Sequence, residues 1–102
     1  MRPSAIVVVS VTPELCPDLP ARAEAMLAAG TDRVVLDLAQ VLFLNSLQIA
    51  GIISFRQVIH ASGGRVAVAN LDPAMRKVFE TLRIDRIFAL HLDLAAAKAA
   101  VG

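Results

Sequence analysis

Side chains able to do chemistry are sparse in this 102-residue sequence. His60 and His91 lie far apart and fall into no metal-ligand or catalytic-triad spacing. His60 ends a helix-like segment, where an imidazole most simply partners the negative end of the helix dipole. Cys16 is the single cysteine, so neither an internal disulfide nor a multi-cysteine metal site can form. Its place near a helix start could lower a thiol pKa, but no second cysteine or motif gives it a partner. Asp37 lies in a strand-like run, where a carboxylate caps a turn or faces a loop. Ser62-Gly63-Gly64 follows a helix-like segment instead of opening one, so it lacks the geometry of a phosphate cradle. With no nucleophile–base pair and no cofactor loop, the expectation is a chain that is not an enzyme and carries no cofactor or metal.

Asn45-Ser46 is the remaining candidate. These polar residues interrupt a long apolar course where a strand gives way to a helix. The plain structural account is capping, since Asn and Ser side chains satisfy free backbone N–H groups at a helix start. The functional account uses the same geometry. Free N–H groups and the helix dipole favour an anion there, so the fold would tolerate a phosphate on Ser46. That phosphate would add roughly −1.5 to −2 charges to the surrounding surface. On an apolar docking face it would expel a bound partner.

The elements that must position this pair follow from periodicity and turn chemistry. Residues 5–11, with Ile6 and Val7-Val8-Val9, form a β-branched run apolar on both sides, which predicts a covered strand. Thr12-Pro13-Glu14 ends it or turns it into a short second strand. Asp18 is expected to cap a helix over 19–29, with Pro20 in its first turn and Gly30 as its stop. Residues 33–38 predict the next strand, and Asn45 or Ser46 caps a long helix over 47–61. A strand over 65–71 follows, then Asp72-Pro73 opens a helix over 73–82. Ile87-Phe88 predicts a short fourth strand, and Asp93 caps a last Ala-rich helix. The alternation β-α-β-α-β-α-β-α predicts an α/β fold, its sheet mostly parallel or mixed, with four to five strands.

Bulk properties set the outer bounds. The length suits one domain spanning residues 1–102. The net charge of +1 comes from mixed signs with no basic run, which argues against nucleic-acid binding. Apolar stretches fall short of the roughly 20 residues that cross a bilayer, and no signal peptide is visible. A cytoplasmic protein without membrane insertion is the simplest expectation. The hydrophobic fraction of 57% is high. It suits tight helix-on-sheet packing, or an apolar face covered by a partner or a second copy as a homodimer.

Read together, these segments resemble the STAS family of anti-sigma-factor antagonists. Val34-Val35-Leu36-Asp37-Leu38, Val41, Phe43-Leu44-Asn45-Ser46 and Ile49 look like the family's central motif. Gly63-Gly64-Arg65-Val66-Ala67-Val68 and Asp72-Pro73-Ala74-Met75-Arg76-Lys77-Val78-Phe79 are similar to its later strand and helix. Thr81-Leu82-Arg83-Ile84 and Ile87-Phe88 fit its last turn and strand, and Val11-Thr12-Pro13-Glu14-Leu15 is a looser match. The resemblance implies a partner-switching module. Such a module binds a serine-kinase anti-sigma factor, is released by phosphorylation of the motif serine, and is reset by a phosphatase. Carried over, that serine is Ser46. Asn45 stands where the family has Asp, Leu47 where it has a second Ser or Thr, and Gln48 where it has Gly. The docking face is expected at Asn45, Ser46, Leu47, Gln48, Ala50 and Gly51, with the last two exposed and small enough for close approach. The alternative for Ala50 and Gly51 is packing against a neighbouring helix. The alternative for the whole chain is a constitutive, unphosphorylated STAS scaffold in a multi-protein or transport complex.

Overall fold

Valine and isoleucine side chains prefer extended backbone, and three of the four strands among the described residues are built on such runs. The computed structural model describes residues 5–102 and places strands at Ile6–Ser10 (β1), Arg33–Asp37 (β2), Arg65–Ala69 (β3) and Ala89–His91 (β4). They form a single parallel sheet in the order β1-β2-β3-β4. The register aligns Val35 with Val8 on one side and with Ala67 on the other. Helices Leu19–Ala28 (α1), Ser46–Ala61 (α2), Pro73–Thr81 (α3) and Leu94–Val101 (α4) alternate with the strands. This is the α/β arrangement the alternation predicts, in its all-parallel form.

Strand alternation divides the core between the two faces of the sheet. On one face Val34, Leu36 and Val68 pack against Leu19 of α1, Ile52, Phe55 and Ile59 of α2, and Met75 and Phe79 of α3. On the other, Val35, Ala67 and Ala69 pack against Ala97 and Val101 of α4. Small residues let α4 lie close, and Arg33 Nη1 donates to the Val101 carbonyl at 2.6 Å, tying its end to β2. No described helix is long and apolar enough to cross a membrane.

Several sequence expectations need correction. Of the two expectations for Thr12-Pro13-Glu14, the first holds: β1 ends at Ser10, and in place of a second strand a 3-10 helix, Pro13–Asp18, runs straight into α1. Asp18 therefore has helical dihedrals (φ −92°, ψ −6°) and its side chain caps nothing. The Leu19 N–H already reaches the Cys16 carbonyl, so the preceding turn does the capping. The fourth strand lies at Ala89–His91 rather than at Ile87-Phe88. Ile87 and Phe88 instead donate their N–H groups to the Ile84 carbonyl, closing a 3-10 turn over Ile84–Arg86, with Phe88 buried in the core. The third strand ends at Ala69 because Asn70 turns left-handed at φ 59°.

Elsewhere the local chemistry works as read. Asp72 and Asp93 accept from Ala74 and Ala96 N–H groups at 2.9 and 2.8 Å, capping α3 and α4. Gly63, at φ 83°, supplies the left-handed residue that closes α2.

Candidate functional site

The site is assembled at the carboxyl end of β2. Asp37 Oδ1 accepts from the Ala39 N–H at 3.0 Å, and from Asn70 Nδ2, just beyond β3, at 3.1 Å. One carboxylate thus fixes the exits of two adjacent strands. Leu38 donates its N–H to the Ala69 carbonyl at 3.0 Å and extends the same link. Val41 and Leu44 then dip into the core and pin the loop 38–45 from below. Between them Leu42 and Phe43 point outward, each 72% exposed, and Leu47 just beyond is 72% exposed as well. Three large apolar side chains therefore surround Asn45-Ser46, where solvation alone would favour polar ones.

Asn45, not Ser46, is the cap. Its backbone is extended (φ −83°, ψ 173°) and Oδ1 accepts from the Gln48 N–H at 2.8 Å. Gln48 returns the bond, its Oε1 accepting from the Asn45 N–H at 2.8 Å. This is a capping box. Gln48 Nε2 also donates to the Pro13 carbonyl at 3.2 Å, joining α2 to the 3-10 helix. The Asn at 45 and the Gln at 48 therefore work as a pair that seals the helix start. Ser46 is the first helical residue, and its side chain is exposed. The cap engages the Gln48 N–H, and the Asn45 carbonyl engages Ile49. Ser46 and Leu47 thus keep first-turn N–H groups that the helix itself cannot satisfy. Any anion on Ser46 would meet these donors and the positive end of the dipole.

The structure divides the expected docking residues. Asn45, Ser46, Leu47 and Ala50 are exposed and Gln48 is half-buried. Gly51 is buried, contrary to expectation: a Cβ there would run into the carbonyl oxygen of Cys16. Its smallness lets α2 press against the 3-10 helix, so the packing alternative holds for Gly51 while Ala50 stays on the surface.

Other residues singled out from the sequence lie apart. Cys16 is buried, its Sγ donating to the Thr12 carbonyl at 3.5 Å, and burial pushes its thiol pKa up, away from a reactive thiolate. His60 sits in the last turn of α2, as expected, and His91 ends β4. Arg76 faces Glu80 at 3.8 Å along α3, an exposed pair of little energetic weight.

A parallel sheet of this order, with helices alternating along the chain, is the α/β fold of the STAS class. A family model described as "Mlab, STAS domain" matches residues 7–94, and the chain belongs to this STAS-domain family. No curated protein sequence matches it. Among solved structures, a Thermotoga maritima protein provisionally described as an anti-sigma factor antagonist is 23% identical with TM-score 0.79. That match covers 97% of this chain and 92% of the other. The STAS domain of a Vibrio cholerae SulP transporter is 16% identical with TM-score 0.81, over 98% and 84% of the two chains. The phosphorylated form of SpoIIAA, a Bacillus cell fate determinant, is 16% identical with TM-score 0.65, over 95% and 87%. At these identities the likeness speaks for the fold.

Two parts of the site were missed in the sequence. The Asn45-x-x-Gln48 spacing is itself a capping-box signature, a signal local to the sequence. The link between Asp37 and Asn70 joins residues far apart in the chain and leaves no local signal.

Proposed function

We propose that this chain is a protein-binding regulatory module of the anti-sigma-factor-antagonist kind. Its docking face is the start of α2 with the loop before it: Leu42, Phe43, Asn45, Ser46, Leu47, Gln48 and Ala50. The observation that carries this is the set of three large apolar side chains held outward around an exposed serine at a capped helix start. Apolar contact would drive docking, with the rigid capping box keeping the face preformed. The partner is a serine-kinase anti-sigma factor. It transfers the γ-phosphoryl group of ATP to the Ser46 oxygen, releasing ADP and the hydroxyl proton, and the phosphoprotein then leaves because a dianion cannot stay desolvated among Leu42, Phe43 and Leu47. A phosphatase restores the hydroxyl. The module acts in the cytoplasm.

Capture from the native host by the immobilised chain tests this. Wild type should retain an ATPase of the histidine-kinase-like class, and Ser46→Asp should lose it by tenfold or more. Equal retention by both sinks the switch.

A second reading is a constitutive scaffold in a transport complex. It is supported by the fold shared with a transporter STAS domain and by Asn45 and Gln48, whose side chains are committed to the cap. Mass spectrometry of protein from native cells separates the two. Near-complete phosphate on Ser46 speaks for the switch, and none under any growth condition speaks for the scaffold.

A further inference from the structure

The sheet has two lateral edges, and they differ. β4 is three residues long, and short strands are one way proteins blunt an edge. β1 is longer, Ile6–Ser10, and carries no charge, no proline and no bulge. Its pairing shows which groups are free. Val11 donates its N–H to the Asp37 carbonyl of β2 at 2.9 Å. Alternation along the strand then turns the N–H and C=O groups of Ser10, Val8 and Ile6 away from β2 and outward. Among the described residues nothing pairs with them. Beside this edge runs a groove of about 640 Å³ lined by Val7 to Ser10 and by one stripe of α1, Arg22, Ala25, Met26 and Ala29. On the opposite face Val8 is 36% exposed, because α4 lies across β2, β3 and β4.

We propose that a second copy of this chain occupies the β1 edge, pairing β1 with β1 antiparallel about a two-fold axis at Val8. In that register Val8 faces Val8 of the other copy and Ile6 faces Ser10. These are the residues whose backbone groups point outward, so each facing pair exchanges both of its N–H···O bonds. The same axis serves the helices. Because the α1 stripe and the β1 edge line one groove, it brings the two stripes together antiparallel, with Arg22 of each copy toward Ala29 of the other. Ala25 and Ala29 are exposed and small, which allows close approach. Ala29 is the C-cap of α1, so the Arg22 guanidinium reaches the carbonyl-rich, negative end of the opposite helix. Charge and backbone complementarity thus come from one operator acting on one copy's surface, which is the signature of an isologous interface. The two sheets join into one.

The test is the mass of the full chain in solution, with edge variants. Wild type is expected to be a dimer at about 50 μM by light scattering. Val8→Pro removes an outward N–H that β2 does not use, so the fold stays and the dimer is lost. Val8→Lys, which places a charge on the edge, should do the same if proline is not tolerated. Arg22→Glu should weaken dimerisation about tenfold, by setting an acid against a helix C-terminus. Amide exchange at Ile6, Val8 and Ser10 should slow as protein concentration rises. A monomeric wild type, a partner other than a second copy on this edge, or a dimer that survives in folded Val8→Pro or Val8→Lys overturns the proposal.

Discussion

Two strand-to-helix connections leave the same end of the sheet from neighbouring strands and are held by the same carboxylate, Asp37. The β3-to-α3 connection takes residues 70–72: Asn70 turns left-handed, Asp72 caps, and Pro73 starts the helix. The β2-to-α2 connection takes residues 38–45, buries Val41 and Leu44, and leaves Leu42 and Phe43 in solvent. Both end in a side-chain cap of similar length, 2.9 Å at Asp72 and 2.8 Å at Asn45. Reversing the chain at this end of the sheet therefore needs only the shorter solution. The extra length and the exposed apolar side chains of the longer one are not demanded by folding, and they are the features on which the proposed docking face rests.

That contrast can be broken or sharpened by substitution. The largest effect is expected from Gly51→Leu. The backbone carbonyl of Cys16 cannot give way to a side chain, so α2 must leave the 3-10 helix, at a cost of about 3 kcal/mol or more. Chemical denaturation should show this as a large fall in midpoint. Asp37→Ala strikes both connections at once and leaves the half-buried Asn70 amide without its acceptor, for a loss of about 1–3 kcal/mol. Thermal melts should rank it next. Asn45→Ala opens only the longer connection, by about 1 kcal/mol. Amide exchange should quicken at Gln48 and leave Ala74 of α3 as it was. Phe43→Asp should change stability least, within about 0.5 kcal/mol, while weakening partner capture tenfold or more. If capture is untouched by that change, the longer connection is not a docking face.

Much of this was legible in the sequence, for identifiable reasons. The first three strands announce themselves through β-branched runs, and α3 and α4 through Asp caps whose effect is local. The fourth strand lies beyond its sequence signal: Ile87 and Phe88 have the stronger strand preference, yet core packing of Phe88 takes them into a turn and leaves the pairing to Ala89-Leu90-His91. The 3-10 helix at Pro13–Asp18 has neither a 3.6 nor a 2 period to betray it. At the site, the Asn45-Ser46 junction is a local signal, legible from its own residue types. Which residues of the run 41–44 face solvent depends on how the loop is pinned from the core side. The burial of Gly51 depends on a backbone that arrives from a different part of the chain. Neither is written in the neighbouring residues.

The placement of α4 has a consequence for how the molecule is made. It is the helix that covers the Val35, Ala67 and Ala69 face, and Arg33, at the start of β2, waits for the carbonyl of Val101. Synthesis runs from the N-terminus, so residues 94–101 are added after all four described strands. The growing chain can close one side of its sheet early, while the other stays bare until the final helix arrives. During that interval the nascent chain presents a flat strip of valine and alanine, the kind of surface that chaperones cover and that neighbouring nascent chains can stick to.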